Sequence, residues 1–440
     1  MSEPVAMTDY RGRFDPEFHL GMLSRQALAV LGREYQLAAH LQDRAGIPQV
    51  LARYGATAMR EVAIAEWMGA SPVYTQRMQQ ALRFHGDDVA TIFKGMQFDV
   101  GAPHGFLDFR FRINDDGSGE FWLPYCGALM DVEPMGEEFV VGMCHHIEDP
   151  TFDATAVATN PRAQVRPIHR PPRVPADRAP HCHWRVRIEP QATPVVEIAL
   201  TAKVRQSRLA RLALAPPPPK LGESGGEQGG NQGGWTDYSG PFDPDFQLED
   251  LAHPALVTVN QEFCVQGHLL VRAFMTTLAE RWGDDVAREI ASQQWVGIAG
   301  LAAERVAAAM SIEGDDLDAI AKLLQLHPAF HPRAYVDFRV QRVGDAVHCW
   351  IGECAALSEG DAYSWFALLG SQPHRALDAI VRTVNPRARC RPLHVTGARV
   401  AWSIVIDPNA EPAAEPPEVT LTKFSKGARF QFVQRRALRP

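Results

Sequence analysis

The feature that most constrains this chain is an internal repeat. The segment YRGRFDPEFHL, which begins at Tyr10, matches YSGPFDPDFQL, which begins at Tyr238, and the offset of 228 residues holds without a gap as far as Lys94 and Lys322. Self-similarity over such a length is typical of two copies of one structural unit. The sequence therefore predicts a tandem duplication, with residues 8–206 as the first unit and residues 236–440 as the second.

Residues shared by the two units run through their whole length. They include Glu34/Glu262, His40/His268, Arg53/Arg281, Glu61/Glu289, Trp67/Trp295, Arg77/Arg305, Cys126/Cys354, Asn160/Asn385 and Trp184/Trp402. Tethered copies of one domain predict a pseudo-dimer that mimics a two-fold homodimer. Two independent domains are the alternative, and further association of chains into a homo-oligomer stays open.

Residues 207–235 are expected to form a linker between the units. The tract LAPPPPKLGESGGEQGGNQGGW, from Leu214 to Trp235, starts with prolines and continues with glycine, glutamine and serine. Proline tracts are stiff and glycine-rich tracts behave as flexible coils. We therefore expect no regular structure in this linker.

The hydrophobic pattern changes midway through each unit. From Ser24 to Lys94, apolar residues recur every three or four positions, which predicts three or four amphipathic helices. After His104 the pattern alternates, so FLDFRFRI and GEFWLPY are predicted to pair as antiparallel strands around a turn at Asn114 to Gly117. A helix from about Met135 to His146 and strands at 163–169 and 182–188 complete the unit. This order indicates an α+β fold with helices on one face of an antiparallel sheet.

Composition limits the classes of function. The chain has 440 residues, a formal net charge of −8 and basic residues that are scattered rather than clustered, which argues against a nucleic-acid partner. No stretch approaches a membrane span, and the first residues do not resemble a signal peptide. Seven cysteines, an odd number, favour free thiols, metal ligands or a nucleophile over a disulfide framework. We therefore expect a cytoplasmic protein with no membrane partner.

The densest chemistry lies between Cys144 and Trp184. Two sets of residues compete as a metal site. A thiolate set of Cys126, Cys144 and Cys182 would suit Zn²⁺. An imidazole set of His181 and His183, with His145, Glu148 or Asp149 from the preceding helix, would suit Zn²⁺ with an open position, or Fe²⁺. Alternate residues of a strand point to opposite faces, so His183 and Cys182 cannot serve the same site.

The second unit lacks both sets. Cys144, His145 and His146 correspond to Gly370, Ser371 and Gln372, while residues 181–183 correspond to Arg399, Val400 and Ala401. This loss predicts one working site per chain, in the first unit. By contrast, Glu34, His40 and Glu61 occur in both units, and Glu34 and His40 lie about 240° apart around a helix, which favours ion pairs or hydrogen bonds over metal binding.

The pattern from Cys126 to Trp184 resembles two related families. A cysteine closes the second strand, Cys144 is followed by Glu148 and Asp149, an Asn-Pro comes next, and Cys182 opens the last strand shortly before Trp184. This arrangement is similar to the L-2-amino-thiazoline-4-carboxylic acid hydrolase family and the 4-vinyl reductase domain family. The resemblance implies an α+β fold around a pocket for a small molecule, with the cysteines as metal ligands or catalytic groups.

These observations lead to one expected function and two alternatives. The first is a metal-dependent hydrolase of a small molecule, a heterocycle among the candidates, in which Glu148 or Asp149 acts as general base and His146 as acid. A metal-free version would use Cys126 or Cys144 as a nucleophile beside a histidine. The alternatives are a small-molecule-binding or sensing module with structural zinc, and a non-haem iron oxygenase.

Overall fold

A computed structural model describes residues 6–214, 233–370 and 374–435. Most of the expected linker lies outside the described residues, and so do Ser371 and Gln372, the counterparts of His145 and His146. For residues 215–232, the unstructured linker therefore stays a prediction.

The first half begins with helices, as predicted. Helix α1, Arg25–Ala81, starts at Ser24, whose side chain accepts a hydrogen bond from the backbone N–H of Ala27 and caps the helix. Gly55, with a φ of 80°, interrupts α1 and divides it into two arms. Helix α2, Val89–Met96, is capped in the same way by Asp88. The two arms and α2 are the three helical segments that the apolar spacing indicated.

The strands of the first half form one antiparallel sheet. Strands β1, Arg110–Ile113, and β2, Gly119–Leu123, pair around the turn in which Gly117 has a φ of 77°. Strands β3, Ala163–His169, and β4, Cys182–Ile188, also pair, and the sheet order is β1-β2-β4-β3. All four strands were predicted.

The helical region between β2 and β3 is longer than predicted. It contains α3, Gly127–Val132, and α4, Glu137–Val141, followed by a π-helical stretch at Gly142–Ile147 and α5, Glu148–Val157. The predicted end at His146 was wrong, because the chain passes through one wide turn there and continues as α5. Helix α6, Ala199–Arg205, follows the sheet.

The second half has the same order of elements, except that two 3-10 turns, Ala355–Leu357 and Trp365–Leu368, stand where the first half has α3 and α4. Its helices and strands are α7, His253–Trp282; α8, Asp284–Ala309; α9, Leu317–Leu326; β5, Phe338–Val343; β6, Ala346–Gly352; α10, Arg375–Val384; β7, Ala388–Pro392; β8, Ala398–Ile406; and α11, Pro417–Thr422. The second sheet has the order β5-β6-β8-β7. Gly283 separates α7 from α8 with a φ of 90°, at the position that corresponds to Gly55.

Over the residues that it describes, the structure is α+β, with two four-stranded antiparallel sheets. The predicted fold class is thus confirmed at this level. Within the described ranges, no helix is long and apolar enough to cross a membrane.

The two halves meet through their long helices, and matching residues make matching contacts. Arg77 binds Glu262 at 2.6 Å, and Arg305 binds Glu34 at 2.7 Å. The same exchange recurs nearer the tips of the helices, where Arg53 binds Glu289 at 2.7 Å and Arg281 binds Glu61 at 2.6 Å. The expectation that Glu34 and Glu61 form ion pairs is confirmed.

Segments before the first helix of each half also cross to the other half. The Tyr10 hydroxyl donates to Oε1 of Gln325 at 2.7 Å, and the Tyr238 hydroxyl donates to Oε1 of Gln97 at 3.0 Å. At the hairpin tips, the rings of Tyr54 and Trp282 stack with centroids 3.9 Å apart. These two residues occupy the same position in the repeat, so each half contributes one ring to the stack.

Candidate functional site

The first half contains a cavity of about 210 Å³ between its long helix, the segment after α2, and helices α3 to α5. Most of its lining is apolar: Ile47, Pro48, Leu51, Met59, Ala63, Trp67, Met96, Leu107, Phe109, Ala128, Val132, Met135, Phe139, Met143, Ile147 and Phe152. Phe424, from the segment after α11 in the second half, adds one wall. Among these groups lie a few polar residues, His40, Asp43, Arg44, Asp99, Glu148, Thr151 and Thr155. Such a lining is typical of pockets that bind small molecules.

Two carboxyl groups meet at one side of the cavity. Asp43 lies on the first arm of α1 and Glu66 on the second, and the turn at Gly55 brings them together. Asp43 is 5% exposed and Glu66 is fully buried. Burial raises the pKa of both groups; Asp43 raises the pKa of Glu66 further, whereas the hydrogen bond with Glu66 lowers the pKa of Asp43. Because Arg44 and the Trp67 N–H stabilise negative charge on Asp43, the proton that the pair retains resides on Glu66.

The hydrogen bonds of this pair are incomplete within the described part of the chain. Asp43 Oδ2 accepts from Nε1 of Trp67 at 2.8 Å, while Asp43 Oδ1 and both carboxyl oxygens of Glu66 have no partner among the described residues apart from the other carboxyl group of the pair. A proton on Glu66 that is shared with Asp43 satisfies one oxygen of each. Buried polar atoms that remain without partners are uncommon and often mark a place where a ligand or water binds.

Asp99 is the second carboxyl group in the wall. Its Oδ1 accepts from the Tyr74 hydroxyl at 2.7 Å and from the Gly101 N–H at 2.6 Å. Burial raises the pKa of Asp99 to about 6, although these donors oppose the shift. The hydrogen bonds from Gly101, in its own segment, and from Tyr74, in α1, hold the Asp99 side chain in place.

Glu148 is the third carboxyl group, and it is the one predicted catalytic residue that lines the cavity. It is half-buried at the start of α5. Burial raises the pKa of Glu148 to about 8, with Arg170 opposing and Asp149 reinforcing the shift. Arg170 is ion-paired with Asp149, so its charge is not devoted to Glu148. A carboxyl group with this pKa can give or take a proton near neutral pH.

The two basic residues in the wall are His40, which is neutral, and Arg44, which is ion-paired. Burial and the neighbouring Arg44 lower the pKa of His40 well below its usual value, so its imidazole is neutral. Arg44 pairs with Asp131 of α3 at 3.2 Å. Asp131 in turn accepts from the Ser425 hydroxyl at 2.7 Å and the Lys426 N–H at 2.7 Å, which ties the second half to this wall.

The predicted thiolate set lies in the core behind the cavity. Cys126, Cys144 and Cys182 are buried, and none of them lines the cavity. Burial, followed by the charge of Glu148, raises the pKa of all three thiols, to about 12 for Cys126. The Sγ of Cys126 caps α3 by accepting from the Leu129 N–H at 3.4 Å. Thiols in this state are protonated, which argues against the expected roles of Cys126 and Cys144 as nucleophiles.

The predicted imidazole set is divided between different surroundings. Nε2 of His183 lies 3.0 Å from Glu120, which also binds Arg112 and Arg185. The neighbouring Cys182 and Trp184 are buried, whereas His183 is half-buried on the opposite face of the sheet. His181 precedes the strand, and its Nδ1 accepts from the Cys126 N–H at 3.2 Å. The two histidines therefore have different hydrogen-bond partners and different degrees of burial.

The helix residues of that set are also engaged elsewhere. Nε2 of His145 lies 2.7 Å from the carbonyl oxygen of Pro171, Asp149 pairs with Arg170, and His146 is exposed. Among the residues that the structure describes, no group of three His, Cys, Asp or Glu side chains has the geometry to hold a metal ion. The residues predicted to bind Zn or Fe thus do not fit a metal site in this arrangement.

The equivalent place in the second half is filled with aromatic rings. His268 and Trp295 correspond to His40 and Trp67, but the ring of Trp365 stacks on Trp295 with centroids 5.5 Å apart. Phe366 packs against His268 at 5.5 Å. The remaining cavity there measures about 30 Å³. The carboxyl groups have gone as well, since Val271, Gln294 and His327 stand at the positions of Asp43, Glu66 and Asp99.

This last comparison is a signal that sequence reasoning missed. The loss of polar residues from the second unit between Cys144 and Trp184 predicted a site in that stretch of the first unit. The second unit also lacks the carboxyl groups of Asp43 and Glu66 in the helical region. No protein-family model, curated protein or solved structure matches this chain.

Proposed function

We propose that the first half of this protein binds a small, largely apolar molecule in the cavity between α1 and α5. The observation that carries this proposal is a cavity of about 210 Å³ with apolar walls and a buried, incompletely hydrogen-bonded carboxyl pair. Cavities of this order hold a single-ring aromatic molecule. The corresponding region of the second half is filled by Trp365, so one ligand per chain is expected.

A neutral aromatic probe tests this proposal without involving the carboxyl groups. Toluene is expected to raise the melting temperature of the protein and to bind with a stoichiometry of one. Ala63→Phe places a ring in the cavity and should remove the effect, since Ala63 is buried in the cavity wall. The matched control is Ala52→Phe at an exposed position of the same helix. Equal toluene binding by both variants would contradict the proposal.

A second candidate function is acid–base catalysis, with the predicted hydrolysis of a small molecule as its leading form. The observation that favours it is Glu148, whose pKa is raised to about 8 and whose carboxyl group belongs to the cavity wall. Glu148 would act as the general acid or base, while Asp149, His146 and the cysteines would not take part. This version needs no metal ion, and none of its steps is assigned to Zn or Fe.

The resemblance to the L-2-amino-thiazoline-4-carboxylic acid hydrolase family provides a first substrate to try. The purified protein should consume L-2-amino-thiazoline-4-carboxylic acid. This activity should be lost in Glu148→Gln and retained in the control Glu189→Gln, which alters an exposed carboxyl group just after β4. If Glu148 acts as an acid, the rate should fall as the pH rises through about 8. Turnover that is indifferent to Glu148→Gln would remove this candidate and leave the binding module.

We also infer that the two halves form a pseudo-dimer that arose by tandem duplication. The support is reciprocity: Arg77 with Glu262 and Arg305 with Glu34 are one contact made twice, as an isologous interface requires. Cleavage within residues 225–234 should leave the halves associated on a sizing column. Elution of two separate halves would contradict the inference.

A further inference from the structure

The charges around the cavity are unbalanced. Three carboxyl groups, Asp43, Asp99 and Glu148, belong to its wall, and Glu66 lies directly behind Asp43. The basic side chains in the wall offset them only in part, because His40 is neutral and Arg44, which stabilises charge on Asp43, is also paired with Asp131. The cavity therefore contains an excess of acidic groups in an apolar setting.

Asp43 is the carboxyl group of this wall that is paired with a second buried carboxyl group. Asp43 lines the cavity and is 5% exposed, and its oxygen Oδ1 has no partner among the described residues other than the carboxyl group of Glu66. Its other oxygen is fixed by the Trp67 N–H at 2.8 Å, which orients the carboxyl group. Without a ligand, the proton that the Asp43–Glu66 pair retains satisfies this acceptor, and a ligand N–H group can take its place.

We propose that the ligand is a small organic cation, a protonated amine or amidine on an apolar body, and that its N–H group binds Oδ1 of Asp43. This inference rests on the proposed binding function of the cavity and specifies the chemical class of its ligand. A hydrogen bond between an ammonium and a carboxylate is about twice as strong as one between neutral groups.

The remaining walls suit the same class. The indole of Trp67 lines the cavity next to Asp43, and Phe109 and Phe152 line it farther away. Aromatic faces attract cations, most strongly when water is excluded. An anionic ligand would instead meet three carboxyl groups and no unpaired cation in the described wall, and would have to be buried without compensation.

Binding of a cation should release a proton. In the empty protein, the Asp43–Glu66 pair retains a proton, because burial raises both pKa values. A cation at Oδ1 stabilises the state in which both Asp43 and Glu66 are ionised. The ammonium group therefore enters as the proton leaves to solvent, and the net charge of the site is unchanged. The groups around the pair are Arg44 and His40 on the first arm of α1, Trp67 and Tyr74 on the second arm, and Asp99 and Glu148 in the cavity wall. Of these, Asp99 and Glu148 titrate near neutral pH and add to the same trend.

The test compares three molecules of similar size on the full-length protein: benzylamine, benzyl alcohol and phenylacetate. Isothermal titration should show benzylamine binding about tenfold more tightly than benzyl alcohol, and phenylacetate binding more weakly than either. Asp43→Asn should reduce the difference between benzylamine and benzyl alcohol to less than about twofold. The control is Asp87→Asn at an exposed position, which should leave the difference unchanged.

A measurement on the unmodified protein guards against misfolding of the variant. The benzylamine affinity should rise as the pH increases from 5 to 8, and the apparent binding enthalpy should depend on the ionisation enthalpy of the buffer, which reports proton release. Benzyl alcohol should show neither effect. If benzyl alcohol binds as well as benzylamine, or phenylacetate binds best, the inferred ligand class is wrong while the binding function stands. If none of the three molecules binds and toluene also fails, both proposals fall.

Discussion

Replacing Glu148 by glutamine should make the stability of this protein less dependent on pH. Burial raises the pKa of Glu148 from its usual 4.5 to about 8. Between these two values the folded protein keeps a proton on Glu148 that the unfolded chain releases. The stability that this group contributes is therefore complete below about pH 4.5 and is lost progressively as the pH rises toward 8.

The size of the effect follows from the shift. One pKa unit corresponds to about 1.4 kcal/mol, so a shift of three to four units sets an upper limit of about 5 kcal/mol. Since Glu148 is half-buried, solvent screening reduces this limit, and we expect about 2 to 4 kcal/mol. The neutral amide of Glu148→Gln has the same shape and does not titrate, so the variant should become more stable than the parent above pH 7.

Urea unfolding of the parent and the variant at pH values from 5 to 9 provides the assay. The difference in unfolding free energy should grow with pH and level off above pH 8. Glu189→Gln, at an exposed site, should show no such trend. A difference between parent and Glu148→Gln that stays constant over this range would refute the account of Glu148, and with it the proposal that this residue is a general acid or base at neutral pH.

Three further predictions concern the interface between the halves and the cavities in each half. Arg77→Leu should destabilise the protein by about 3 kcal/mol because it leaves the buried Glu262 unpaired, whereas Arg53→Leu at the exposed end of the same interface should cost less than about 1 kcal/mol, as measured by urea unfolding. Phe424→Ala should weaken toluene binding to the first half in calorimetry, and unchanged affinity would show that the second half does not close the cavity. Trp365→Ala should cost about 3 to 5 kcal/mol and open a second binding site, so that toluene stoichiometry rises toward two per chain.

Much of the architecture could be predicted from the sequence, because it depends on local patterns. Apolar residues at helical spacing before Lys94 and alternating residues after His104 determine which segments are helices and which are strands. Turn residues such as Gly117 set the hairpin, and a strand residue's face follows from its position, so Cys182 and His183 were separated correctly. The end of the helix near His146 was missed because a π-helical turn leaves no clear periodic signal.

The location of the site depended on contacts between residues that are distant in the sequence. Asp43 and Glu66 meet because Gly55 folds α1 back on itself, and Phe424 reaches the cavity only because the second half packs against the first. His183 lies in a motif rich in histidine and cysteine, which predicted a metal ligand. In the structure its ring pairs with Glu120 of the adjacent strand β2, on the face of the sheet away from the core. Periodicity along one segment specifies which side of that segment is apolar. Which charges and rings then share a cavity is decided by how the segments pack, since burial and electrostatic coupling depend on three-dimensional distance.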